Sequence, residues 1–342
     1  MAVLLLAAGQ ASAQSTQSPY PLFADQTPLS LKITAPFRTL ARDDQEERPE
    51  HPALLEFSEP DGRHVSLDLQ IRIRGNSRVT VCDRPPLSLQ IKDDADGTVF
   101  AGQDRLKLVV LCKSVDRYRD YLAEEFLIYR MLNALTDRSF RVRWASVEYV
   151  YNDTKRETSV VEPAFLIEAD WEAAERLGAK VIEVPTIAKT ALDAPHTELV
   201  ALFQYLIGNT DWAVIEGPGD EFCCHNGKVI GKEGEPLIVL PYDFDGAGMI
   251  NTDYAAPAEN LSIRYVTQRL YRGFCIMNDE IDGALARLNG QREQLKNILD
   301  DPLVSERSRE RAMKWLDGSF EIFDDPKLLQ KRIYDDCRPG EE

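Results

Sequence analysis

Positive charge is what this 342-residue chain is short of: 40 Lys and Arg stand against 57 Asp and Glu, a formal net charge of −17. That balance argues against a nucleic-acid surface or an anionic membrane as the main partner, because both recruit proteins through clustered cations. A local basic patch for a phosphate stays compatible with it. Histidine is scarce as well, at four residues, and the six cysteines (Cys82, Cys112, Cys223, Cys224, Cys275 and Cys337) show no C-x-x-C spacing, so no structural zinc site is expected. No G-x-S-x-G occurs, which removes the signature of a Ser-His-Asp hydrolase. Beyond the N-terminus no apolar run reaches the ~18 residues of a membrane span, and no repeat of roughly 20–50 residues is visible, so neither a transmembrane segment nor a solenoid is expected.

What is present is a globular composition, 44% hydrophobic, enough for a sizeable core. The first residues, "MAVLLLAAGQASAQ", join an apolar run to Ala11-Ser12-Ala13, the small-x-small pattern of a cleaved signal peptide over residues 1–13. An exported protein, periplasmic or secreted, is the expectation, and six cysteines suit that oxidising compartment. Residues 14–50 are polar and dotted with proline, and are expected to form an irregular arm. "SLDLQIRIRG" then alternates Leu67, Leu69, Ile71 and Ile73 with polar residues, and "PLSLQIKD" and "RLKLVVL" repeat the pattern as strands. A helix of about five turns, "YRDYLAEEFLIYRMLNAL", precedes two more strands, "RWASVEYVYN" and "VVEPAFLIEA". Cys82 and Cys112, each just past a strand, are the pair expected to bridge.

After Trp171 helical patterns dominate: "WEAAERLGA", "HTELVALFQYLIGN", "IRYVTQRLYRGF", "DEIDGALARLNGQREQLKNIL" and "SERSRERAMKWLDGSFEIF", with one short hairpin, "HNGKVIG" and "PLIVLPYD". A β-rich lobe with one inserted helix (51–170), then a mostly helical lobe (171–342), predicts an α+β, two-lobed protein-kinase-like fold with ATP in the cleft. The stretch "LPYDFDGAG" asks why a buried strand should end on two carboxylates, Asp243 and Asp245. A divalent cation across nucleotide phosphates answers it, with Asn226 as a further ligand and Asp211 orienting the acceptor hydroxyl. Asp245 is the rival to Asp243 for the cation. Lys107 lies on the face of its strand shared with Val109 and Leu111, and Glu125 is centred on the apolar arc of its helix. A buried carboxylate needs a cation, and Lys107 is the nearest candidate. Glu124, about 100° away on the wheel, is expected to tolerate alanine.

At these residues the sequence resembles the spore-coat protein H (CotH) type of atypical kinases, in their exported bacterial branch. The motifs are "RGNSR" (74–78), "CDRPPL" (82–87), "LKLV" (106–109), "EFLIY" (125–129), "GNTDW" (208–212), "HN" (225–226) and "PYDFD" (241–245), spread over about Leu67 to Phe274. The resemblance implies phosphoryl transfer from ATP with Mg²⁺ or Mn²⁺ to a protein or small-molecule acceptor. It gives Lys107 and Glu125 the ATP-anchoring pair, Asp211 the catalytic acid, and Asn226 and Asp243 the metal. No G-x-G-x-x-G precedes Lys107, so "RGNSR" is expected to cover the phosphates, Gly75 permitting close backbone approach and Arg74 and Arg78 supplying charge. Two other classes stay open. One is an inactive kinase-like secreted protein for binding or assembly; the other is a different metal-dependent phosphoryl or nucleotidyl transferase in which His225 serves as base.

Overall fold

Leu67, Leu69, Ile71 and Ile73 do face one apolar interior, and seven strands enclose it. The computed structural model describes residues 20–43, 46–75, 78–156, 158–217, 219, 222–257 and 261–339, and the expected signal segment, 1–13, lies outside them. The chain runs β1 (Leu29–Ala35), α1 (Phe37–Leu40), β2 (His51–Ser58), β3 (His64–Ile73), α2 (Arg78–Val81), β4 (Leu87–Ile91), β5 (Arg105–Val110), α3 (Asp116–Leu135), β6 (Val142–Tyr151) and β7 (Thr158–Ile167). The strands close in the order β1-β2-β3-β4-β5-β7-β6 and back to β1. Each pairing is antiparallel except the closing one, where β1 runs parallel to β6 with Leu31 beside Val147. Alternation then puts Leu31, Ile33, Leu55, Leu89, Leu106, Leu108, Val147 and Leu166 inside. Each such side chain contributes about 1.5–3 kcal/mol by leaving water.

This closure overturns the two-lobed protein-kinase-like fold. The strand-rich half is a closed mixed barrel, not an open kinase-type sheet. The physical reason is β1. Residues 29–35, expected within the irregular arm, pair with β2 on one side and β6 on the other and remove both free edges of the sheet.

Outside the barrel, the second faces of β5, β6 and β7 are apolar too, and α3 lies on them. Phe126 meets Trp144 and Phe165 at ring-centroid distances of 5.2 and 5.8 Å. Tyr129 touches Phe165 on the barrel side and Phe244 on the other, so α3 is buried between the barrel and the C-terminal half. That half contains α4 (Asp170–Arg176), β8 (Lys180–Val181), α5 (Ala194–Ile207), β9 (Gly227–Gly231), β10 (Ile238–Pro241), α6 (Ile281–Gly290), α7 (Arg292–Leu299), α8 (Glu306–Asp324) and α9 (Pro326–Leu329). β9 and β10 form the expected hairpin, and β8 adds a third strand.

α5 starts at Asp193, whose carboxylate caps the His196 amide, and stops at Gly208, which has φ +69°. A Cβ at Gly208 would come within 2.4 Å of the Trp315 ring, so glycine is required there twice over. Residues 263–274 are not the expected helix. Their polar groups are satisfied from elsewhere: Gln268 accepts from the amides of Arg264 and Tyr265, and Arg269 donates to Trp315 and Ser319. The expected bridge Cys82–Cys112 is formed, with Cys223–Cys224 and Cys275–Cys337 beside it. Among the described residues no helix is long and apolar enough to cross a membrane.

Candidate functional site

Three motifs far apart in sequence converge on one guanidinium. α2 follows "RGNSR", of which Asn76 and Ser77 lie outside the described residues, and carries Arg78 beneath α3 and the end of β10. Its Nη2 donates to Glu125 Oε2 at 2.8 Å and to Asp243 Oδ1 at 3.2 Å, while Nε donates to Asp245 Oδ2 at 2.7 Å. A planar fork with five donors suits such a cluster; a lysine ammonium does not. Tyr254 hydrogen-bonds Asp245 from the far side.

The partner expected for Glu125 is therefore corrected. Lys107 donates instead to Asp170 at 2.5 Å, and Lys228 stands 3.7 Å from the same carboxylate. Register explains it. Lys107 on β5 lies opposite Ile167 at the end of β7, and Asp170 opens α4 three residues later. The ammonium also sits over the rings of Tyr242 and Phe140, at 5.2 and 5.6 Å from their centroids. Burial lowers its pKa, and Arg74 and Lys228 lower it further against the pull of Asp170. Arg74 acts on Asp243 as well, so its charge is felt by both the lysine group and the acids. Gly75, at φ +83°, makes the turn that follows it.

Asp211 is held from three directions. Its amide donates to Asn209 Oδ1 at 3.0 Å, its Oδ1 accepts from His225 Nε2 at 2.7 Å, and its Oδ2 accepts from Asn226 Nδ2 at 3.0 Å. Asn226 Nδ2 also reaches the Asp211 carbonyl at 2.7 Å, so its amide nitrogen anchors the acid and its Oδ1 is the atom left to meet a cation. Asn226 and Asp243 end the two strands of the hairpin, and both have positive φ, +51° and +61°. Such conformations in non-glycine residues collect at functional sites. The Tyr242 amide donates to the Asn226 carbonyl, and the Asp243 amide to the Tyr129 hydroxyl, which fixes both ends. Gly246 brings the "DFDG" turn against Asp211: a Cβ there would lie 3.6 Å from the Cβ of Asp211.

Acids outnumber cations here. Glu125, Asp243, Asp245 and Asp211 surround the place, with Arg78 and Arg74 the guanidinium groups that act on Asp243. Burial pushes Glu125 up to about 8, and burial with the neighbouring Asp245 raises Asp243. Asp211 goes the other way. Burial alone would raise it, but His225, Asn226 and Arg272 together hold it below the ordinary carboxylate value, and in return Asp211 raises His225. Asp243 is the most exposed of the three acids that Arg78 reaches, with 41% of its side chain open to solvent.

Among the described residues no group of three or more His, Cys, Asp or Glu is arranged to hold a metal ion. An all-protein cage is thus absent there. The oxygen donors of Asp243 and Asp245 fit the lesser demand of Mg²⁺, which takes one or two carboxylates and completes its shell with water and phosphate. Sequence reasoning missed Asp170, Lys228 and Tyr254. Asp170 reads as an ordinary acid in the first turn of a helix, and Lys228 as a solvated strand residue. His225 was visible beside Asn226, but nothing in the order of residues joins it to Asp211. In comparisons with known proteins, the chain matches no family model and no curated protein significantly.

Proposed function

We propose that this chain is an exported phosphotransferase that moves a phosphoryl group from a nucleoside triphosphate to a hydroxyl-bearing protein or small molecule, with Mg²⁺ or Mn²⁺. The observation that carries the reading is the split of charge around the end of β10. Asp243, Asp245 and Asp211 supply excess negative charge at one end, where a divalent cation is favourable, and Lys107 and Lys228 share the acid Asp170 at the other, with the charge of Arg74 acting on Lys107. When bound, the cation neutralises phosphate charge. The chain's own residues do the rest: Asp243 and Asp245 hold it, Lys107 and Arg74 face the phosphates, and Tyr242 and Phe140 offer an apolar wall beside Lys107. The resemblance to CotH-type kinases is retained for these residues and not for the fold. Disulfide pairing supports export.

One observation favours the second reading, a secreted binding or assembly protein: Arg78 already occupies an oxygen of Glu125, Asp243 and Asp245, so the cluster is partly satisfied without a cation. Calorimetric titration of Mg²⁺ and a non-hydrolysable nucleotide decides between them. Binding by the wild type, lost in Asp243→Asn and kept within a few-fold in Asp211→Asn while turnover falls by about 10²–10⁴, is the expected result. No binding by the wild type hands the cleft to the assembly reading.

A further inference from the structure

We propose that His225, not Asp211, accepts the proton of the attacking hydroxyl, with Asp211 as the residue that positions it. This rests on the phosphotransferase reading above. Both oxygens of Asp211 are already engaged, Oδ1 by His225 Nε2 and Oδ2 by Asn226 Nδ2. A carboxylate accepting two donors is a poor base. The carboxylate also selects the tautomer of the ring: Nε2, facing Oδ1 at 2.7 Å, carries hydrogen, which leaves the lone pair on Nδ1. Among the described residues Nδ1 has no hydrogen-bond partner, and 37% of the side chain is exposed.

The backbone that carries the ring is tied down on both sides. The His225 carbonyl accepts from the Ala213 amide, the Asn226 carbonyl accepts from the Tyr242 amide, and Cys224, bridged to Cys223, precedes it directly in the chain. Asp211 also lies against Gly246, in the same turn as Asp243 and Asp245, and the charge of Asp243 acts on His225, so the pair borders the proposed phosphoryl site. An acid that orients an imidazole, and an imidazole with its second nitrogen free, is the arrangement that activates a weak nucleophile.

The step balances as follows. The acceptor O–H bond breaks and its proton passes to Nδ1; the oxygen's electron pair forms the new O–P bond; the bond from phosphorus to the bridging oxygen breaks, and its electrons leave on the nucleoside diphosphate. The imidazolium then returns its proton to solvent.

The test uses the full chain with ATP and Mn²⁺, water serving as acceptor and phosphate release as readout. His225→Gln keeps an amide donor for Asp211 Oδ1 but has no basic nitrogen, and His225→Ala leaves room for added imidazole. Both are expected to bind a nucleotide analogue like the wild type and to lose about 10²-fold or more in turnover, with imidazole restoring about tenfold to the alanine variant alone. Turnover of His225→Gln within about threefold of the wild type would overturn the proposal and leave Asp211 as the base. Loss of turnover without imidazole rescue, or together with loss of nucleotide binding, would equally overturn it, because His225 would then be structural. A wild type that neither binds the analogue nor releases phosphate sinks the phosphotransferase reading itself, and this inference with it.

Discussion

Replacing Arg78 by glutamine removes the one guanidinium that, among the described residues, reaches Glu125, Asp243 and Asp245 together. The three acids do not suffer alike. Asp243 is 41% exposed and regains water, Asp245 less so at 14%, but Glu125 is 2% exposed and its Oε1 lacks a partner even in the wild type. The loss therefore concentrates on the Glu125 carboxyl, buried on α3 beside the end of β10 and left without its donor. Breaking a buried ion pair from one side costs about 3–5 kcal/mol, a large share of the ~5–15 kcal/mol that holds a typical domain together. Urea unfolding of Arg78→Gln, Glu125→Gln and the double variant measures it. Glu125→Gln alone is expected to cost less, since it leaves no bare charge, and the double variant to recover a coupling of about 2 kcal/mol. If Arg78→Gln loses less than about 1 kcal/mol, the value of an exposed pair, the guanidinium is solvated and the convergence on it is not a buried network.

The same unfolding assay checks two further expectations. Cys82→Ser with Cys112→Ser opens a bridge of sequence separation 30 and should lower stability by roughly 3–4 kcal/mol in the chain-entropy model; an unchanged urea midpoint refutes the bridge as a stabiliser. Glu124, which the helical wheel marked as tolerant, is fully buried and accepts two 2.7 Å bonds from Arg311, so Glu124→Ala should cost about 1–3 kcal/mol. It also titrates. Burial raises Glu124 to about 8 and Glu198 to about 7, so the native chain keeps protons that the unfolded chain has released, and the stability these acids contribute falls as pH rises from the ordinary Glu value of 4.5 to about 8. Glu124→Gln should flatten that slope, and a flat wild-type profile over the window would show that neither acid is desolvated in solution.

Period-2 alternation in β3, β4 and β5 and the five turns of α3 were legible because each segment has one clear apolar face. Closure was not. β1 reads as "LSLKITA" in a polar, proline-dotted region, and its partners lie in β2 and β6, so the information sits in strands that are adjacent only after folding. The failure at residues 263–274 has the opposite cause: helical spacing was present, but side chains of α8 and the C-terminal segment draw that chain into turns. At the site, the wheel found Glu125 correctly as a buried acid and then assigned it the wrong cation. Lys107 was nearer in topology, whereas Arg78 belongs to a single helical turn too short to show any periodicity. The paired acids of "PYDFD" were readable because carboxylates at a buried strand end are costly. Their joint partner was not, since nothing local to either motif encodes a contact with residue 78.

The parallel seam between β1 and β6 has a consequence for the order of events in folding. Leu29 leaves the ribosome early, yet its neighbour across the seam is Ala145, so β1 can pair with β2 at once but its outer edge waits until more than about a hundred further residues exist. Until then the growing sheet offers an open edge to any other strand. A newly made chain is therefore most exposed to mispairing in the interval before β6 and β7 arrive, and the seam ties the strand synthesised first to one synthesised near the end of the barrel.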